Sequence, residues 1–161
     1  MQIGFKKIHP DATLPTYAHE GDAGMDVYAV ENAILYPGKA CKIPTGLIAE
    51  IPTGYEIQVR PRSGLALNRN ITVLNAPGTV DAGYRNEIGI ILMYSPDVDS
   101  FRIEDGKITA DCEHIRKGDR IAQFVVAPVT KCEPIEVTEV SDTERGMGGF
   151  GSTGIKSATQ P

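Results

Sequence analysis

Tyr55-Glu56-Ile57-Gln58-Val59-Arg60 sets apolar Tyr55, Ile57 and Val59 against polar Glu56, Gln58 and Arg60. A period of two is the signature of a strand with one face on a core and the other turned outward. The same rhythm extends in both directions. Upstream lies Gly46-Leu47-Ile48-Ala49-Glu50-Ile51; downstream lie Ile88-Gly89-Ile90-Ile91-Leu92-Met93, Ile121 to Val126, and Ile135-Glu136-Val137-Thr138-Glu139-Val140. Between these runs, 17 glycines and 11 prolines break the chain at short intervals, which predicts strands joined by turns and hence an all-β sandwich, barrel or jelly roll. One short helix is expected where Ser63 can cap and Leu65, Ala66 and Leu67 favour helix, before β-branched Ile71 and Thr72 resume a strand. Residues 94–116 are polar and read as a long excursion, with a small hairpin turning at Glu104-Asp105-Gly106-Lys107.

With 161 residues, 41% hydrophobic and 23% charged, the chain suits one soluble core. No apolar run reaches the roughly 20 residues of a membrane helix, and Met1 to Lys7 lacks a signal peptide's apolar block. A cytoplasmic protein with no membrane contact is expected. Sixteen basic against 21 acidic residues leave a net charge of −5, which argues against a nucleic-acid partner held through its phosphates. Cys41, Cys112 and Cys132 are odd in number and lack metal spacing, so they read as small buried hydrophobes. His9, His19 and His114 are not spaced as a metal-binding pair.

Three stretches carry chemistry. In Arg145-Gly146-Met147-Gly148-Gly149-Phe150-Gly151-Ser152-Thr153-Gly154 the glycines allow close backbone approach, Arg, Ser and Thr offer donors to phosphate oxygens, and Phe150 can stack on a base. A flexible linker would have little use for that Arg, Phe and Ser-Thr pair. In Arg60-Pro61-Arg62-Ser63-Gly64-Leu65-Ala66 a guanidinium, a hydroxyl and the free N–H groups of a helix start lie together, as in an anion site, although a surface Arg and a capping Ser would spell the same letters. Asn75 to Ile88 reads as a hairpin-like loop carrying the amide of Asn75, the carboxylate of Asp81 and the ring of Tyr84.

With Asp22-Ala23-Gly24-Met25-Asp26-Val27-Tyr28-Ala29 and Gly118-Asp119-Arg120-Ile121-Ala122-Gln123, these make five segments in order from residue 22 to 154, and together they resemble the trimeric dUTPases of bacteria and phages. The resemblance implies a distorted jelly-roll β-barrel over residues 1–144 and a flexible tail, 145–161, that closes over the active site. It also implies a Mg²⁺-dependent hydrolysis of dUTP to dUMP and pyrophosphate, which limits uracil in DNA and supplies dUMP for dTMP synthesis. In that pattern Asp26 holds the metal through water. Arg62, Ser63 and Gly64 form the phosphate loop, and Gln123 contacts phosphate and orders water. Asp81 activates the attacking water, Asn75 reads uracil, and Tyr84 packs on the sugar, with Gly78, Thr79 and Val80 contacting substrate beside them. Arg145 reaches the γ-phosphate, Phe150 stacks over uracil, and Gly151, Ser152 and Thr153 close on the phosphates.

The resemblance further implies a homotrimer in which one subunit gives the tail, another the uracil hairpin and a third the phosphate loop. Asp119 and Arg120 read more simply as turn and salt-bridge residues. Asn86 replaces the family's usual glycine, and Ile155 displaces Lys156 from the place of a common basic residue. The 94–116 excursion exceeds the typical family loop and offers a place for a protein partner. Two alternatives share parts of this pattern: a dCTP deaminase, against which the Asn75/Asp81/Tyr84 combination speaks, and a nucleotide-sensing regulator that needs no turnover.

Overall fold

The computed structural model describes residues 1–105 and 107–152. In chain order the elements are β1 (Gly4–Lys7), β2 (Met25–Tyr28), β3 (Ala33–Leu35), β4 (Ala40–Pro44), β5 (Leu47–Glu50), β6 (Tyr55–Arg60), helix α1 (Ser63–Arg69), β7 (Ile71–Val73), β8 (Gly78–Val80), β9 (Gly89–Tyr94), a 3₁₀ turn (Val98–Ser100), β10 (Phe101–Glu104), β11 (Lys107–Ala110), β12 (Glu113–Ile115) and β13 (Arg120–Pro128). The all-β expectation with one short helix holds.

The strands form several small sheets. The largest runs β2-β13-β6-β8 and a second runs β4-β9-β7. Alternation places Ile57 and Val59 of β6, Ile90, Leu92 and Tyr94 of β9, and Ala122 and Phe124 of β13 in one shared core with Leu35, Ile43 and Ile115, and a register shift between Arg120 and Ala122 accompanies the burial of Ile121 as well. Phe124 is fully buried and stacks on Phe5, with ring centroids 6.3 Å apart and planes 11° apart. No helix among the described residues is long and apolar enough to cross a membrane. The hairpin expected at 104–107 forms as β10 and β11, paired antiparallel. Its base is tied to α1, since Asn70 Nδ2 donates to Asp97 and Arg69 pairs with Glu113.

Three expectations fail. Ser63 does not cap α1; it is the first helical residue, Arg62 occupies the cap position, and no side chain caps the helix, so the first N–H groups stay available. Residues 135–140 form no strand, and Ile135, Val137 and Val140 are exposed. The cysteines are not fully buried: Cys41 is half-buried and packs against the core, Cys112 is half-buried and Cys132 is exposed.

Contacts divide the chain into Met1–Thr130 and Lys131–Pro161. Within the second unit, residues 143–152 curl through successive turns: Gly146 N–H donates to Thr143 O, Gly148 N–H to Arg145 O and Ser152 N–H to Gly149 O. Phe150 holds a left-handed φ of 47°, unusual for a bulky residue, and its ring is wholly exposed.

Burial lifts the Tyr94 phenol above its ordinary range, helped by the carboxylates of Glu113, Asp111 and Asp97. A phenol whose folded pKa is raised stabilises the fold below its unfolded value near 10, and this contribution fades as pH rises through the folded value. Of the six tyrosines, one is expected to ionise late in an alkaline absorbance titration, and Tyr94→Phe should remove that phase. Phe124→Ala should lower stability by about 3–5 kcal/mol in denaturant melts, the usual cost of emptying a fully buried ring site.

Candidate functional site

Strand β13 pairs with β2 on one side and β6 on the other, and its register sets Gln123 opposite Asp26 and opposite Arg60. Three polar side chains thus stand abreast across three neighbouring strands. Asp26 is 5% exposed, and such a carboxylate must be paired. Its Oδ1 accepts from Arg62 Nε at 3.1 Å and its Oδ2 from Arg120 Nη1 at 3.0 Å. Arg62 Nη1 also donates to the Arg120 carbonyl at 3.0 Å. Asp26 is therefore a buried hub that fixes two guanidiniums, and Arg120 is the salt-bridge residue expected.

Arg62 donates through Nε and Nη1, and in sequence it stands immediately before exposed Ser63 and Gly64, the first residues of α1. Gly24 explains how Gln123 reaches this corner. A Cβ at Gly24 would sit 3.2 Å from Gln123 Cβ and 3.3 Å from its Cδ, so the amide lies across a position where other residues carry a side chain.

A second recess, about 130 Å³, is lined by Val59, Asn75, Gly78, Thr79, Val80, Asp81, Tyr84, Ile88, Gly89 and Ile91. Every residue expected from the hairpin lies here. Strand β8 supplies Gly78 to Val80, and a turn closed by Tyr84 N–H on Asp81 O brings the carboxylate and the ring to the same rim. A Cβ on Gly78 would fall 3.0 Å from Asn75 Nδ2, so the glycine leaves room for the amide. The apolar wall of Val59, Ile88 and Ile91 with one amide suits a flat polar ring. The volume is well below the roughly 300–1,000 Å³ of pockets that enclose a whole drug-sized ligand, and so it suits one ring and not a nucleoside triphosphate.

The two clusters share no residue. In the second unit, Arg145 Nε donates to Gly148 O at 2.8 Å, tucking the guanidinium against its own turn, while Phe150 stays exposed. Thr153 and Lys156 lie outside the described residues. Sequence reasoning missed the anchoring role of Thr45, fully buried with its Oγ1 donating to Ile88 O at 2.6 Å; a single Thr between Pro44 and Gly46 gives no signal of it.

The chain matches the dUTPase family model over residues 10–154. It is 49% identical over 154 residues to the deoxyuridine 5'-triphosphate nucleotidohydrolase of Picosynechococcus sp., covering 96% of this chain and 99% of that one. The same enzyme of Alkaliphilus metalliredigens is also 49% identical, with 96% and 98% covered. Among solved structures, a point variant of the Staphylococcus bacteriophage 80alpha dUTPase with dUpNHpp superposes with a TM-score of 0.83 at 30% identity, over 96% of this chain and 99% of that chain. A dUTPase variant of phage phi11 of S. aureus, described with a structural Mg(II) ion, gives a TM-score of 0.73 at 25% identity, over 86% and 98%.

Gly78→Ala forces its methyl group onto the Asn75 amide and is expected to weaken binding of dUpNHpp, read by calorimetry. A modest fall in unfolding midpoint should accompany it, since Gly78 is buried and the added methyl also meets Val59 Cβ at 3.3 Å.

Proposed function

This chain belongs to the dUTPase family, and from that membership we propose that it hydrolyses dUTP to dUMP and pyrophosphate, with Asp81 as the base that takes a proton from the attacking water. The observation that carries the reading is the single recess that gathers Asn75, Asp81 and Tyr84. Asn75 offers both a donor and an acceptor to the edge of uracil. The apolar wall holds the ring flat, and Tyr84 at the rim packs on the sugar where a 2′-hydroxyl would need space. Asp81, on the same rim, lies where the sugar leads to the α-phosphate.

The phosphate chain belongs with the other cluster. Arg62 brings a guanidinium, Ser63 a hydroxyl, and α1 its uncapped N–H groups. Gln123 lies beside Asp26 and contributes an amide to phosphate or to the water. Asp26 acts first as the countercharge that holds Arg62 in place.

Magnesium is in keeping with this family, and the residues present fit it in one way. Asp26 is nearly inaccessible with both oxygens engaged, and among the described residues no group of three His, Cys, Asp or Glu side chains could cage an ion. Such a donor set suits an ion held by substrate phosphates and its own waters, with Asp26 reached through water. Its contribution would be to neutralise triphosphate charge.

The recess is too small for a whole nucleotide and the phosphate donors stand in a separate cluster, which supports a homotrimer in which hairpin and phosphate loop of different subunits face one another. The tail completes the site: Arg145 for the γ-phosphate, Phe150 as a stacking ring over uracil, Gly151, Ser152 and Thr153 around the phosphates. The exposed Phe150 supports this, because a ring in water has stacking to gain. The hairpin β10–β11 takes no part in the chemistry; its exposed Phe101 and Ile103 are where a protein partner would touch.

Asp81→Asn should retain dUTP binding and slow turnover by about 10²-fold or more, the scale of a lost general base; full activity in a pyrophosphate-release assay would refute the assignment. Truncation after Glu144 should leave a trimer by light scattering and still depress kcat/KM.

A further inference from the structure

The wall of the recess formed by residues 84–88 is docked onto the turn between β4 and β5. Ile88 N–H donates to Leu47 O at 2.8 Å, and Thr45 Oγ1 donates to Ile88 O at 2.6 Å. Gly46 N–H donates to Glu87 Oε1 at 2.8 Å. Glu87 also fixes Tyr84, whose phenol donates to the Glu87 carbonyl at 3.1 Å. The receiving turn is itself rigid. Gly46 has a φ of +66°, and a Cβ there would meet His9 Cβ at 2.7 Å and Ala12 Cβ at 2.9 Å.

A chain of contacts therefore runs from the β4–β5 turn through the Glu87 carboxylate and backbone to the ring on the rim. Without the carboxylate's bond to Gly46, Ile88 remains docked on Leu47 and Thr45, while residues 84–87 keep only local bonds: Tyr84 N–H to Asp81 O, Arg85 Nη1 to the Ala82 and Tyr84 carbonyls, Glu87 N–H to Asn86 Oδ1, and the Tyr84 phenol to the Glu87 carbonyl. These local bonds do not fix where the ring stands relative to the recess.

We propose that Glu87 is a specificity-positioning residue: clamped by Gly46 N–H, it holds Tyr84 at the distance that admits a deoxyribose and refuses a ribose. This rests on the reading of Tyr84 as the ring that meets the sugar. Glu87 touches no substrate. Its effect is on discrimination, because a ring released from the Glu87 carbonyl can retreat and make room for a 2′-hydroxyl, while Asp81 and Asn75, held on β8 and its approach, keep their places.

The test compares Glu87→Ala, which loses the acceptor, with Glu87→Gln, which keeps an Oε1 for Gly46 N–H, measuring kcat/KM for dUTP and for UTP in the full-length enzyme. Glu87→Ala should lower the dUTP/UTP ratio on the order of tenfold, with Glu87→Gln restoring it. Tyr84→Phe, which loses only the hydroxyl bond and cannot unfold the core, should lower the ratio likewise, and it decides the matter if Glu87→Ala does not fold. Equal losses for both nucleotides, or an unchanged ratio in Tyr84→Phe, would overturn the proposal. Failure of the wild-type protein to hydrolyse dUTP would instead overturn the functional reading beneath it.

Discussion

The two-sided pairing of β13 is the constraint on which the rest depends. One strand, hydrogen-bonded to β2 and to β6, buries Ala122 and Phe124 on one face and must dispose of Gln123 on the other. The register decides what Gln123 stands beside. A slip of one residue would turn Phe124 outward and carry Gln123 into the core, so the apolar pattern that stabilises the barrel also locks the polar row of Asp26, Gln123 and Arg60. Burying Asp26 then requires partners, and Arg62 and Arg120 supply them. A packing requirement thereby fixes Arg62 at the residue that precedes α1, where the helix leaves its N–H groups without a side-chain cap.

The nucleoside recess depends on the same sheet from its far side. Strand β6 carries Val59 opposite Gly78 of β8, and β8 delivers Asp81 at its end. One edge of the sheet thus supports a ring-sized recess and the other a cationic corner. The proposed substrate needs both, and the small volume of the recess is in keeping with the proposed sharing of the site between subunits.

Much of this was legible in the sequence because period-two patterning and close-approach glycines are local signals. Ile57 and Val59, Ile90 and Leu92, and the hairpin at 104–107 follow from it, and the Asn75 to Tyr84 loop kept its residues together because they are close in sequence. What failed was set by partners that sequence patterning does not contain. Ile135 to Val140 has the right alternation and forms no strand. Ser63 has a capping side chain and stands one residue too late to use it. The pairing of Asp26 with Arg62 and Arg120, 36 and 94 residues away, and the clamp of Gly46 on Glu87 are long-range contacts. Only folding reveals them.

Subunit complementation tests the shared site most directly. Arg62→Ala and Asp81→Asn, each nearly inactive alone, would be mixed in equal amounts, dissociated and reassembled. If hairpin and phosphate loop at each site come from different chains, random trimers hold about a quarter of their sites with both parts intact, and dUTP hydrolysis should return to about that fraction of wild type. No recovery above the two parents would show that each chain builds its own site, and would contradict the account.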